Sequence, residues 1–162
     1  MSQLVELKQL LFEELEHIVK TSSNLIMKIS DKDWDYRPAS NMRTLLELVH
    51  HLVSVPGTDL LIMQEKTEEE VRQLEGAIAA DGGDKEKLIA WMNKGLADLK
   101  SYMNGLTDDD FLHKKTKPFY LEHGSAQAKW LIEVVTHAQH HRAQMFNYLK
   151  AQGYEVSMFD LY

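Results

Sequence analysis

His137 and His141 lie four residues apart in the run Thr136-His137-Ala138-Gln139-His140-His141-Arg142-Ala143-Gln144. On a helix four residues advance about 400°, so the two imidazoles stack on one face, within reach of a single metal ion. A chain with eight histidines can carry such a pair by chance, and a third ligand is needed before the spacing means coordination. The chain has no cysteine, so a bound ion would rest on nitrogen and oxygen donors alone. Ala138, Gln139 and His140 separate the pair, so the HExxH motif, with its built-in general base, is absent.

The element that must position them is a C-terminal helix expected from Ala126 to Gln152, ended by Gly153. With Trp130 at zero and about 100° per residue, Leu131, Val134, Ala138, Met145 and Leu149 fall on an apolar arc centred at about 80°. His141 falls at about 20° and His137 at about 340°, so both point into the bundle or its rim. His140 falls at about 280°, among Glu133, Gln144 and Asn147, and reads as a surface histidine. Two inward imidazoles are costly to keep without partners. A second histidine-bearing helix is expected from Met42 to Ser54, stopped by Pro56-Gly57, with Ser40 or Asn41 as its cap. There His50 and His51 flank the arc of Leu45, Val49 and Leu52 by about 130° on either side, so periodicity leaves both open as the third ligand.

The remaining pattern supplies the frame. A broad apolar stripe (Leu4, Leu7, Leu11, Leu15, Ile18, Leu25) gives a long first helix ending near Ser30. A weaker helical stretch covers Thr58 to Glu65, and a short acidic helix opens at Thr67-Glu68-Glu69-Glu70 and ends before Asp81-Gly82-Gly83. The three glutamates read as a solvated first turn on the positive end of the helix dipole. Leu88, Ile89, Trp91, Met92, Leu96, Leu99 and Met103 describe a further long helix over 84–106. Residues 107–124 show no period and read as a long ordered loop with a short extended piece, a length that is often functional. The tail after Gly153 is apolar enough to pack back on the body. Four principal helices without a strand-rich region make an all-α four-helix bundle in one domain over 1–162.

The 162 residues are 44% hydrophobic, enough for a core without metal or disulfide staples. A net charge of −7 argues against a nucleic-acid partner, and the short run His113-Lys114-Lys115-Thr116-Lys117 reads as a solvated loop. Charges recur every few residues at the N-terminus, so neither a signal peptide nor a membrane partner is expected, and a cytoplasmic location is the simplest reading.

Two segments carry a resemblance to a known family. Asp35-Tyr36-Arg37-Pro38, followed by Leu45-Leu46-Glu47-Leu48-Val49-His50-His51, resembles the Arg-Pro turn and Leu-x-Glu-Leu-x-x-His helix of the DinB-like superfamily, which includes the YfiT-like metal-dependent proteins. His137-Ala138-Gln139-His140-His141-Arg142-Ala143-Gln144 resembles that family's His-x-x-His-His-Arg-Gly-Gln signature, departing from it at Ala143. The resemblance implies an up-down-down-up bundle, frequently a homodimer, with a divalent ion, zinc or nickel first, between helices near one end. It assigns the third ligand to His51, beside His137 and His141. Some relatives transfer a low-molecular-weight thiol such as bacillithiol to electrophiles, and others are classed as hydrolases. The family name refers to induction by DNA damage, a stress response, and implies no DNA binding.

Three histidines leave coordination positions open for a small-molecule substrate, the pattern of a catalytic site. The leading expectation is an S-transferase, in which the ion supplies the activated sulfur that a cysteine-free chain lacks. The alternatives are a hydrolase, with Glu122 or His123 on the long loop handling protons, and a non-catalytic metal-binding stress protein. Glu47 and Arg142 are a candidate ion pair across the two histidine helices.

Overall fold

In the computed structural model, which describes residues 2–162, six helices run in the order α1 (Gln3–Lys28), α2 (Leu45–Met63), α3 (Glu68–Ala80), α4 (Lys85–Asn104), α5 (Asp108–His113) and α6 (Gln127–Ala151). Two short strands, β1 (Lys115–Thr116) and β2 (Ser125–Ala126), pair antiparallel between α5 and α6. The long helices α1, α2, α4 and α6 form the bundle, in which α1 and α2 each pack against both α4 and α6.

Contacts between helix ends give the directions. Lys8 at the start of α1 donates to the Met103 carbonyl at the end of α4, and Lys85 at the start of α4 donates to the Ile29 carbonyl just past α1, so these two run antiparallel. Tyr154 beyond α6 meets Ser30 and Asp33 beyond α1, so α1 and α6 run parallel. Tyr148 late in α6 donates to the Arg43 carbonyl just before α2, while His137 further back in α6 meets Asp59 late in α2, so this pair is antiparallel. The order is up-down-down-up, with α3 serving the crossover between the parallel α2 and α4.

Local chemistry sets the boundaries. The side chains of Thr44 and Thr67 each accept from the backbone N–H three residues on, and Glu47 and Glu70 return the bond to the cap N–H, closing a capping box at the start of α2 and of α3. Helix α2 therefore starts at Leu45, capped by Thr44, three residues later than Met42 and not from Ser40 or Asn41. Both glutamates are occupied by this capping. Glu47 lies beside Arg37 at 3.8 Å, whereas Arg142 is buried and donates to Thr21 Oγ1 at 2.9 Å and the Leu161 carbonyl at 3.2 Å, so the two do not pair across the helices.

Pro56 does not stop α2, which continues to Met63. A proline inside a helix removes one ladder bond and crowds the carbonyl four residues back, at about 3 kcal/mol or more. Burial beyond the proline offsets this, because Leu60 and Met63 join the core and Gly57 meets α4 at Gly95. A Cβ on Gly95 would lie 2.6 Å from the Gly57 nitrogen, so the closeness of the two helices depends on this glycine. Among the described residues α2 is the one helix long and apolar enough to cross a membrane, and its place between α3, α4 and α6 accounts for that composition.

The span 107–124 is more structured than a loop, since Thr107 caps α5 and β1 pairs with β2. Its anchor is Gln127, fully buried, which accepts from the Tyr102 hydroxyl at 2.8 Å and donates to Thr116 Oγ1 at 2.9 Å and the Lys114 carbonyl at 3.2 Å. The Trp130 indole N–H also donates to Thr116 Oγ1, at 3.1 Å. The tail returns to the body, with Val156 buried and the Leu161 carbonyl held by His17 and Arg142.

Candidate metal centre

The antiparallel contact of α2 and α6 brings His51, His137 and His141 together, with one ring nitrogen from each lying within 4.8 Å of the others. His51 Nε2 and His137 Nε2 are 3.3 Å apart. Two nitrogens bound at about 2.0–2.1 Å to one tetrahedral ion would be roughly 3.4 Å apart, so this pair already has the required bite. The ring of His51 stands edge-on to His141 with centroids 4.3 Å apart, and His137 and His141 are 4.8 Å apart. Helix projection left His50 and His51 equivalent, but the fold does not. His50 Nε2 meets the Gly82 carbonyl at 2.8 Å, tying α2 to the turn before α4, while His51 faces α6.

The far nitrogens of two rings are also occupied. His137 Nδ1 donates to Asp59 Oδ2 at 2.8 Å, which turns Nε2 and its lone pair toward the cluster. The backbone of Asp59 lies two turns beyond His51 on α2, and its side chain leans toward the helix N-terminus, as helical side chains do, to reach that ring. His141 Nδ1 donates to Gln144 Oε1 at 2.8 Å, and the Gln144 amide N–H donates to His140 Nε2 at 3.2 Å, so one amide orients both rings. His141 is buried, His51 and His137 are half-buried, and His140 is exposed.

Burial is the main influence on His51 and pushes it down to about 3, with His141 and Arg43 adding to the effect. Burial likewise takes His141 down to about 4 against the opposing pull of its bond to Gln144. The bond to Asp59 raises His137 above its ordinary value and outweighs burial. Asp59 is itself raised, because burial outweighs the bond from His137. Two of the three rings are therefore neutral near pH 7, as ligands must be, and the third shares a proton with a carboxylate.

A cavity of about 460 Å³ opens beside His51 and His137, lined by Asp59, Ile62, Glu75, Tyr120, Trp130, Glu133 and His140 among others. A separate apolar cavity of about 220 Å³ between α2, α3 and α4 touches none of the three histidines. Glu122 and His123 do not line the histidine cavity, and both are exposed, with Glu122 3.8 Å from Lys117. From the same loop Tyr120 reaches it instead. Asp59, Gln144, Tyr120, Glu75 and Glu133 were not among the expected site residues. Asp59 had a signal, as the sole acid between Glu47 and Glu65 on an otherwise apolar helix, but it was hidden by ending that helix at Pro56. Three imidazoles, two with oriented second nitrogens and space beside them, are a donor set that fits one divalent transition ion with open positions.

No match was found among curated proteins. Among solved structures, a protein assigned to the DinB family from Exiguobacterium sibiricum is 26% identical, with a TM-score of 0.77 over 100% of this chain and 99% of its own. A DinB-like protein from Bacillus cereus is 16% identical, with a TM-score of 0.70 over 91% and 93%. YfiT from Bacillus subtilis, described as a probable metal-dependent hydrolase with an unusual four-helix bundle topology, is 17% identical, with a TM-score of 0.74 over 96% and 91%. The DinB family itself matches over residues 1–162. The chain belongs to the DinB family.

Proposed function

We propose that this protein is a metal-dependent enzyme in which His51, His137 and His141 hold one divalent transition ion, zinc or nickel, and leave positions open for a small-molecule substrate. We further propose that its reaction is transfer of a low-molecular-weight thiol to an electrophile. The observation that carries the reading is the convergence of three imidazoles, two of them held at their far nitrogens by Asp59 and Gln144. When bound, the ion would lower the pKa of a thiol brought to it. The chain's own part is to keep two ligands neutral by burial, fix the tautomers, and hold Tyr120 and Trp130 against the incoming substrate. In the transfer the sulfur forms the new bond to carbon, the leaving group departs with its electron pair, and the thiol proton passes to solvent.

Hydrolysis is the second reading, favoured by the description of YfiT and by the carboxylates of Glu75 and Glu133 in the cavity, where Glu122 and His123 are not. One assay separates the two. Zinc- or nickel-loaded protein is given a chlorodinitrobenzene electrophile with and without bacillithiol, cysteine or coenzyme A, and separately a nitrophenyl ester. Transfer predicts thiol-dependent loss of chloride that disappears in His137→Ala. Ester cleavage alone, lost in the same variant, would replace transfer with hydrolysis.

A further inference from the structure

The cavity beside His51 and His137 stands apart in charge. Asp59 on α2, Glu75 on α3 and Glu133 on α6 bring carboxylates to it from three helices, and no lysine or arginine is among its lining residues. Four other cavities each carry a cation: Lys94 beside Asp98 in the apolar one, and Lys8 with Lys100, Arg72, or Lys66 with Lys114 in the rest. The sign is therefore a property of this cavity and not merely of a chain with a net charge of −7. Asp59 is committed to His137, which leaves Glu75 and Glu133 for a ligand. Glu75 is exposed, and Arg72, three residues before it, pairs with Glu68 instead. Glu133 is half-buried and pairs with Lys129, which is exposed and outside the cavity lining. Exposed pairs of that kind contribute little, so a ligand cation can replace the lysine.

Helix geometry ties these carboxylates to the histidines. Glu133 precedes His137 by four residues on α6, as His137 precedes His141, so it stands on the same face about 5.4 Å of rise from the cluster. Trp130, three residues before Glu133, is buried, and its N–H donates to Thr116 Oγ1 at 3.1 Å, which holds the indole in the cavity wall. Tyr120 joins that wall from the loop. A cationic nitrogen placed there gains charge-assisted hydrogen bonds from the carboxylates and the attraction of aromatic rings. The cluster itself shows an independent need for a ligand. His141 is only 5% exposed, its Nδ1 is bonded to Gln144, and its other ring nitrogen has no hydrogen-bond partner among the described residues. An ion held there by three neutral imidazoles attracts an anionic donor, while the glutamates one turn away attract a cation.

We infer that the substrate carries a cationic nitrogen, an ammonium or amidinium, which Glu75 and Glu133 hold against Trp130 and Tyr120 while the reacting end lies at the three-histidine centre. This rests on the metal-centre reading above, holds for transfer and hydrolysis alike, and is tested separately from it. Cobalt-loaded protein is first analysed for metal content, then titrated calorimetrically with the hydroxamates of γ-aminobutyric and ε-aminocaproic acid and with their hydroxyl-ended counterparts. All four probes grip the ion through the hydroxamate, and each pair differs only in the charge of the tail. At one of the two lengths the wild type should bind the ammonium-ended probe about tenfold more tightly, the size expected of one charge-assisted contact. Glu75→Gln and Glu133→Gln should each reduce that preference, and together bring it within about twofold, with cobalt content and helical spectrum unchanged. Glu155→Gln, away from the cavity, should leave it intact. Equal affinity for charged and neutral tails at both lengths in the wild type, or an undiminished preference in the double variant, overturns the inference and leaves the metal centre standing. Absence of cobalt from the wild type overturns both.

Discussion

Asp59 on α2 accepts the Nδ1–H of His137 on α6 at 2.8 Å, and this one bond joins the two helices that carry all three clustered histidines. A carboxylate behind a ligand imidazole fixes its tautomer and raises its basicity, and losing such a partner typically reduces metal affinity by about 10- to 100-fold. Asp59→Asn keeps the shape and loses the charge. Zinc competition against a chromogenic chelator should therefore show a weakening of about that size, with little change in melting temperature. Unchanged affinity would assign Asp59 to packing alone.

The pH dependence of metal binding should involve about one proton, although there are three ligands. His51 and His141 are held down to about 3 and about 4, so between pH 5 and 8 neither has a proton to release. His137 is raised by Asp59 and must lose its proton to bind. Affinity should rise with pH by at most about tenfold per unit until His137 is deprotonated, then level off. Calorimetry in buffers of different ionisation enthalpy should count no more than one released proton at pH 6.5, whereas two or three would contradict the ring environments described.

In the metal-free protein the same groups act on stability with opposite signs. His51 and His141, depressed in the folded state, contribute stability present above about pH 6.5, their unfolded value, and lost as pH falls toward about 4 and about 3. The His137 contribution is full below its unfolded value and is lost as pH rises through its raised folded value. Urea denaturation in the presence of a chelator should show declining stability from pH 6.5 to 4.5, because over that range the His137 contribution is already full and unchanging while those of His51 and His141 fall away. A rise over that range would contradict it.

Gly95→Ala tests whether the contact of α4 with α2 is as tight as it looks. Alanine should gain up to about 1 kcal/mol as a better helix former. The added Cβ would meet backbone atoms at Gly57 and Pro56, which cannot rotate away, and overpacking of that kind costs about 1–3 kcal/mol. A net loss of stability is expected by denaturant titration, and a gain would show that the helices separate freely.

The bundle was legible because the apolar residues of α1, α4 and α6 repeat at helical spacing over long stretches. The site was only partly so. His137 and His141 share one helix, and their spacing alone aligns them, but the choice between His50 and His51 depends on how α2 is rotated against α6, a tertiary fact supplied in sequence only by family resemblance. Asp59 was lost through a local rule, that proline ends helices, which burial of Leu60 and Met63 overrides. Tyr120, Glu75 and Glu133 come from three separate segments, and no spacing along the chain relates them. Arg142, from the signature-like run, proved to secure the tail and not to pair with Glu47.

The most direct test is metal stoichiometry by elemental analysis after loading with zinc or nickel and exhaustive dialysis. Wild-type protein, His50→Ala and His140→Ala should each retain close to one ion per chain, with His50→Ala about 1 kcal/mol less stable for loss of its bond to Gly82. His51→Ala, His137→Ala and His141→Ala should each lose most of the metal while keeping a wild-type helical spectrum. Retention of a full equivalent by any of these three folded variants, or no specific metal in the wild type, would contradict a centre built on His51, His137 and His141.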